Sequence, residues 1–442
     1  MRKHLRFLMM AAAILFVNVA KAADDVTVGD FTFNFYTSGN AYVTSYLGSE
    51  TTVNIPATIT YNKEGKDTTV NVTGFGPSAF EDNTTIQKIV LGRNNSYTFG
   101  PKAFKGCTAL KFFSWAPSSG ATGNYITDRF YITTSGVVPE SCFEGCSAVT
   151  YVYARWSNKL TVGNCAFKGM SSMTNIQLYA TTIGSNAFEG CDALTNLLLY
   201  VTPTVTPTTF AGIAAGTRIM MYNPEQVTWE FMNQVGDYAS QVKAYVLFST
   251  SATRGYKRVV STQVPYKLTG NGLNVYYVSG VTETSAGITV DLEELTGEDR
   301  VLAAGNALII QYTGTGTSPY WVMSFLTENP EVTYTNYLTG ASTAPVTLPA
   351  SDGTTNYYTF APVTTKGSEG TWSKVTEETT INIGSGYIEM KNGNAVSGIT
   401  TISADDALNG NDAWYTIDGK RLQAEPTTKG IYVRGGKKIV VK

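Results

Sequence analysis

Gly184-Ser-Asn-Ala-Phe188-Glu-Gly190-Cys191-Asp-Ala-Leu194 decides how this chain is read, because it recurs. Gly100-Pro-Lys-Ala-Phe104-Lys-Gly106-Cys107-Thr-Ala-Leu110 is a second close copy, and looser copies place Phe at 80, 143, 167 and 210. Successive Phe are 24, 39, 24, 21 and 22 residues apart, so most intervals are one repeat and the longest holds an insertion. Six residues after the first five Phe stand Ile86, Leu110, Val149, Met173 and Leu194. Nine and eleven residues after all six come Ile89/Leu91, Phe113/Trp115, Val152/Ala154, Ile176/Leu178, Leu197/Leu199 and Ile219/Met221. A step of two is strand periodicity, with both side chains on one face. The Phe and the residue six later belong to a short helical or turn segment closing over the same core. One such unit cannot bury its apolar face alone, whereas stacked units share a continuous core, so the pattern predicts a solenoid.

Cysteine usage follows the same register. All five cysteines, Cys107, Cys142, Cys146, Cys165 and Cys191, lie in the repeats, and Cys107, Cys146 and Cys191 share the slot three residues after Phe. Equivalent slots stack in a solenoid, so these are expected to be buried thiols acting as small hydrophobes. Cys142 and Cys165, in neighbouring repeats, are the leading pair for a disulfide in an oxidising compartment. No Cys-x-x-Cys pair and no histidine partner is present, which argues against zinc.

The repeat resembles the BspA-like leucine-rich repeats of bacterial (Bacteroidetes) surface and secreted proteins. The resemblance rests on Gly-x-x-Ala-Phe-x-Gly-Cys-x-x-Leu and its following strand over roughly residues 70–222. It extends to the lead-in runs Phe31–Phe35, Val53–Ala57 and Val70–Phe75. Pro139 replaces the first Gly of one copy, Asp82 the second Gly of another, and the last copy carries Thr206 and Ile213, as expected of capping repeats. The resemblance implies a leucine-rich repeat solenoid acting in adhesion, with host or matrix proteins as partners. After the array, Asn223-Pro224 followed by Val227, Phe231 and Val235 predicts a short capping helix, with Asn223 at its N-cap and Pro224 at its first position.

The chain has 442 residues, 15% of them charged, with 42 Gly, 27 Tyr and 20 Phe. Low charge with many Tyr and Gly points to a β-rich extracellular protein. Residues 1–22 read as a signal peptide: Arg2, Lys3 and Arg6, then an apolar run from Phe7 to Val19, then Ala20-Lys21-Ala22 as an A-x-A cleavage site. That run is too short for a permanent anchor, and no cysteine near the cleavage point invites lipidation. The only histidine is His4, inside the segment expected to be removed, so imidazole bases, triads and histidine metal ligands are excluded from the mature chain. Cleavage removes four basic residues and no acidic ones, taking the formal charge from −2 to −6, which is not the footprint of a nucleic-acid binder. No transmembrane anchor, no metal, no cofactor and no catalytic residue set is expected, and an enzyme is the least favoured class.

With positions nine and eleven inward, positions eight, ten and twelve face out. They present Tyr151, Tyr153 and Arg155, then Tyr179, Tyr200 and Tyr222 in consecutive repeats. Tyrosine beside arginine is the composition of a recognition surface, since each ring gives much contact area at small entropy cost. These six residues are the candidate ligand-binding set. Two other readings stand beside it: the rings stack on polysaccharide, or the row is structural and binds nothing. The insertion Pro117–Val137, with Tyr125, Arg129, Phe130 and Tyr131, is read as a long loop joining that surface.

From about residue 248 the repeat gives way to short β runs between Gly, Asn and Asp turns: 273–278, 287–292, 307–312, 320–325, 357–360 and 386–390. They predict an antiparallel sandwich-like domain over 248–398, with Trp321 and Trp372 as packing residues. The carboxylates Asp291, Glu293, Glu294, Glu298 and Asp299 read as a solvated acidic loop rather than a glycosidase pair. Residues 399–412 form a polar linker. The tail 413–442 carries hairpin turns at Asp418-Gly419 and Gly435-Gly436. It resembles the C-terminal sorting domains of the type IX secretion pathway through Asp418–Leu422, Lys429–Tyr432 and the terminal Lys-Ile-Val-Val-Lys. The expected fold is therefore mainly β: signal peptide 1–22, repeat domain 23–247 (lead-in 24–74, repeats 75–222, cap 223–247), sandwich-like domain, linker and tail. Location is expected to be extracellular or the outer cell surface, with the periplasm as the alternative.

Overall fold

A computed structural model of the chain describes residues 25–92, 97–115, 130–132, 136–154, 159–285, 287–297, 300–317 and 319–398, and the strands of the tail. The signal peptide, Arg155, Tyr125, Arg129, Glu298, Asp299, the linker and both tail turns lie outside the described residues. The chain divides into two compact units, one reaching Leu197 and including Thr204–Thr217, the other formed by Leu198–Pro203 and Arg218 onward.

The first unit is a solenoid. Strands Thr52–Asn54, Lys88–Leu91, Phe112–Trp115, Phe130–Tyr131, Tyr151–Ala154 and Asn175–Leu178 run parallel, side by side in that order. Structural register equals repeat register: Ile89 faces Phe113 and Val152 faces Ile176, each residue meeting its counterpart one repeat on. A second parallel sheet, Val137–Val138, Leu160–Val162 and Ala180–Ile183, forms another wall. The Phe segments are hydrogen-bonded turns, not helices, and they too pair between repeats: Phe143 N–H donates to Ala166 (2.9 Å) and Phe167 N–H to Ala187 (3.0 Å). Every side of the coil is thus tied to the next coil through the main chain.

Side chains fill the interior in columns. Phe80, Phe104, Phe143, Phe167, Phe188 and Phe210 are all buried, and successive rings lie 5.1, 5.5, 6.2, 5.9 and 6.1 Å apart with interplanar angles no greater than 11°. The lead-in strand Lys66–Phe75 flanks the column, where Phe75 packs edge-on against Phe80 (5.9 Å) and Phe104 (5.0 Å), and Tyr46 stacks on Phe80 at its end (5.9 Å). Beside the rings runs a column of thiols: Cys107, Cys146 and Cys191 donate to the carbonyls of Phe80 (3.0 Å), Phe104 (3.2 Å) and Phe167 (3.1 Å) in the preceding repeat. All five cysteines are free, so the Cys142–Cys165 disulfide is not formed. Burial pushes the thiols of Cys107 and Cys191 up to about 12, and those of Cys142 and Cys146 well above the ordinary range.

Backbone conformation explains the glycine of the motif. Gly190 has φ +73°, in the left-handed region that favours glycine, and a Cβ there would meet Gly169 Cα of the neighbouring coil at 3.5 Å. Two residues before Phe, the same left-handed conformation falls on Ser78, Lys102, Ser141, Cys165 and Asn186, with φ between 53° and 59°. Those side chains carry a local cost of roughly 1–2 kcal/mol each.

Several expectations are corrected here. The insertion contains a rung of the solenoid: Phe130 pairs with Phe113 and Val152 and is 1% exposed, so it is core rather than binding loop. Trp115 lies half-buried against Tyr97 (5.8 Å) while Ser114 is covered, because an indole exceeds the interior slot that Leu91 and Ala154 occupy. Leu198, expected outward, is covered as well.

In the second unit, strand Arg218–Met221 pairs parallel with Val242–Leu247, which pairs antiparallel with Tyr320–Ser324. The predicted cap is present but differently built. Pro224–Gln226 is a single 3₁₀ turn, and the α-helix is Trp229–Val235, capped by Thr228, whose hydroxyl accepts from Phe231 N–H at 3.1 Å. The Asn223 side chain makes no cap hydrogen bond; its amide donates to Tyr200 O (2.7 Å) and accepts from Arg254 (3.0 Å). Two antiparallel sheets follow. Lys257–Ser261, Ala307–Tyr312, Leu273–Thr284 and Gly287–Glu294 form one; Thr339–Gly340, Gly386–Lys391, Thr355–Phe360 and Trp372–Lys374 form the other. Val259, Val278 and Ile309 of the first share a buried cluster with Tyr358, Ile388 and Met390 of the second, which makes the pair a sandwich. Asn336 is buried within it with its amide satisfied: it donates to Asn306 (2.8 Å) and Ala307 O (2.7 Å) and accepts from Val278 and Leu338 N–H (both 3.1 Å). Asp291, Glu293 and Glu294 lie exposed on strand Gly287–Glu294, so the expected acidic loop is an edge strand. Trp321 packs against Phe248 (5.5 Å) and Trp372 against Phe360 (5.2 Å), as packing residues do. The tail strands Trp414–Thr416, Arg421–Leu422, Gly430–Arg434 and Lys437–Val441 pair antiparallel as two hairpins in one sheet.

Three consequences are measurable by thermal or denaturant unfolding and by thiol labelling. Phe167→Ala, in mid-column, is expected to cost about 3–5 kcal/mol. Lys102→Gly, at an exposed left-handed position, is expected to raise stability by up to about 1 kcal/mol, and an unchanged or lower midpoint would refute the strain. With a thiol reagent at mildly alkaline pH, the partly exposed Cys165 reacts in the native protein, and the four buried cysteines react only on unfolding.

Candidate functional site

The predicted outward tyrosines fall into separate groups. In the first unit, strand Tyr151–Ala154 turns Tyr151 and Tyr153 to one face, where their rings stack at 4.2 Å and 18°. Tyr131, on the rung that the insertion supplies, extends the group to Tyr153 at 5.2 Å. Gln177 donates its amide to the Tyr151 hydroxyl from the neighbouring strand. Beside it Asn196 donates to Asn175 at 2.9 Å, an amide ladder on the same outward positions. Tyr179 is half-buried just after strand Asn175–Leu178, its N–H bonded to Ala154 O at 3.1 Å.

In the second unit a longer row forms. Tyr200 and Tyr222 approach to 4.6 Å, as their shared repeat position predicts. The row then continues through residues the repeat pattern does not reach: Tyr222 stacks on Tyr245 (5.6 Å, 20°), and Tyr245 on Tyr320 (4.8 Å, 24°). Parallel pairing of Arg218–Met221 with Val242–Leu247, and antiparallel pairing of Tyr245 with Val322, place these rings in sequence. Tyr320 is 57% exposed, one of three large apolar side chains left so open among the described residues. Arg254 lays its guanidinium over Tyr222, 4.3 Å from the ring centre, and is held there by Asn223. Burial among the neighbouring hydroxyls raises the Tyr245 phenol above its ordinary value.

Face-to-face stacking has a chemical consequence. In Tyr222 and Tyr245 ring faces meet other rings or Arg254, so ring edges and hydroxyls are what they offer outward. Edges and hydroxyls suit polar and aromatic partner side chains, whereas a sugar platform needs a free ring face. Tyr245 was legible as the outward member of the alternating run Val242-Lys-Ala-Tyr-Val-Leu247; its pairing with Tyr320 was not, since no local pattern fixes which strand a sheet edge recruits.

Comparison with known proteins agrees with the repeat. Residues 47–132 and 136–224 match the BspA type leucine rich repeat region, in six copies. Solved structures similar to this chain include a leucine-rich repeat protein from Bacteroides capillosus, at 26% identity over 32% of this chain and 98% of that one, with a TM-score of 0.23. Another is a leucine-rich repeat protein from Bacteroides ovatus, at 18% identity over 49% of this chain and 57% of that one, TM-score 0.35. A third is the T. pallidum leucine rich repeat protein, at 19% identity over 41% of this chain and 86% of that one, TM-score 0.30. No curated protein matches the chain.

Proposed function

We propose that this protein is a secreted or cell-surface binding module, adhesin-like, that recognises a protein partner through its outward tyrosines. The observation that carries the reading is the row Tyr200–Tyr222–Tyr245–Tyr320 with Arg254 fixed on Tyr222. Tyrosine and arginine dominate the energetics of protein interfaces, and a row held by a sheet binds without ordering flexible side chains. Leucine-rich repeats are in general protein-interaction modules, which is consistent with that chemistry. Tyr151, Tyr153, Arg155 and Tyr179 are proposed as further contacts on the repeat face. Host or matrix proteins are the partner class implied by the resemblance to bacterial surface repeats, and the tail is proposed as a sorting element for export.

A second reading, polysaccharide binding by the same rings, is disfavoured at Tyr222 and Tyr245 by their covered faces. Binding of the protein, without residues 1–22, to immobilised matrix proteins and to polysaccharides separates the two. Saturable binding to the protein panel, lost when that panel is digested with protease, is expected. The double variant Tyr222→Ser/Tyr320→Ser is expected to weaken it at least about tenfold while circular dichroism stays unchanged. Unchanged affinity would make the row structural.

A further inference from the structure

A cleft of about 480 Å³ opens in the second unit, and its charged lining residues are Glu225, Arg254 and Arg258. That volume lies inside the roughly 300–1,000 Å³ range of small-molecule sites. Glu225 projects into it from the turn Pro224–Gln226, its side chain packed so closely on Gly384 that a Cβ there would come within 2.7 Å of Glu225 Cβ. Arg254 and Arg258 enter from the segment that leads into and begins strand Lys257–Ser261. Asn382 and Ser385 border the cleft, and Phe360, Pro362 and Tyr266 supply its apolar surface.

Both guanidiniums are fixed in place by neutral groups. Arg258 donates through one terminal nitrogen to the carbonyls of Leu247 (2.8 Å) and Arg254 (2.6 Å) and lies over the Phe248 ring at 5.2 Å. Arg254 donates through one nitrogen to Asn223 and rests on Tyr222. Each guanidinium has five N–H donors, so most of both forks remains for a ligand. Among the described residues neither forms an ion pair within 4 Å, although Glu225 shares the cleft. Burial pushes the Glu225 carboxyl up from its ordinary value, opposed by Arg258 and Arg254. Burial also holds Arg258 down to about 10, still cationic at neutral pH. Two oriented cations facing one carboxyl leave a net positive charge among the described residues that line the cleft.

We infer that this cleft binds a carboxylate-bearing saccharide, with the carboxylate on the Arg254 and Arg258 forks and the hydroxyls on Glu225 and Asn382. Planar forks match a carboxylate in bidentate geometry. Glu225 supplies an acceptor for ring hydroxyls and disfavours dianions such as phosphate esters, which a purely cationic cleft would prefer. The Asn382 side chain is exposed and has no hydrogen-bond partner among the described residues, leaving its amide for the ligand. Phe360 and Pro362 give the ring an apolar surface. The site shares Arg254 with the tyrosine row, whereas Arg258 and Asn382 belong to the cleft alone, so variants at those two test the site without altering a residue proposed for protein binding.

Isothermal titration of the chain lacking residues 1–22 with D-glucuronate tests this, with glucose, propionate and glucose 6-phosphate as comparisons. Saturable one-to-one binding of glucuronate is expected, with each comparison weaker by about tenfold or more. Arg258→Gln removes one fork, and Asn382→Asp sets a negative charge at the exposed rim without touching the core; each is expected to weaken glucuronate by about tenfold or more. Should Arg258→Gln fail to fold, Asn382→Asp decides alone. Equal binding of glucose or propionate, no saturable binding, or unchanged affinity in a folded variant overturns the proposal. Because Arg258 and Asn382 do not touch the tyrosine row, failure here leaves the protein-binding experiment unaffected.

Discussion

A column of six phenylalanine rings, stacked within about 6 Å of one another, is the constraint on which the solenoid depends. Stacked aromatic pairs add about 0.5–1.5 kcal/mol beyond the area they bury. The larger effect is geometric. Rings in contact fix the rise from coil to coil, and that rise must equal strand spacing for the two parallel sheets and the turn hydrogen bonds to form together. Glycine in its left-handed slot and the thiol pointing at the preceding Phe carbonyl follow from this, since each occupies what the column leaves beside it.

The repeat was legible because one physical requirement recurs every 21 to 24 residues, and recurrence separates signal from coincidence. Inward positions nine and eleven residues after Phe, the lead-in strands and the buried thiols are all visible in it. Failures mark where the requirement is local to one coil. Phe130 sits in a rung with no Gly-x-x-Ala-Phe turn of its own, so its place in the sheet has no sequence flag. Thr228 rather than Asn223 caps the helix because Asn223 is recruited by Tyr200 and Arg254, a long-range demand that overrides local preference. Tyr200 and Tyr222 were readable as neighbours from their repeat position, but the extension through Tyr245 to Tyr320 depends on strand pairings across a gap of some 75 residues.

The second unit obeys a different economy. Its sandwich holds buried polar side chains, among them Asn336 and Asn306, whose amides bridge the backbone of three segments. Such a network is tolerable because every bond is made, and it specifies one alignment of the segments, where a purely apolar core allows slippage. Charge is handled in the same way. Lys257 is buried against Glu369, while Arg258, one residue on and facing oppositely, is fastened to carbonyl oxygens and aromatic rings. Adjacent cations on one strand thus meet opposite fates, one paired with a carboxylate and the other held by neutral groups.

Main-chain bonds between coils carry no sequence identity, and the columns present nearly the same side chains at every level. Such an array has an approximate translational symmetry: a coil displaced by one level would find almost the same partners. The 39-residue interval, with Phe130 as an extra rung, breaks that symmetry once, near the middle. Only one alignment gives the rung its two strands, so the least regular repeat acts as the phase marker that tells every other coil which level it occupies.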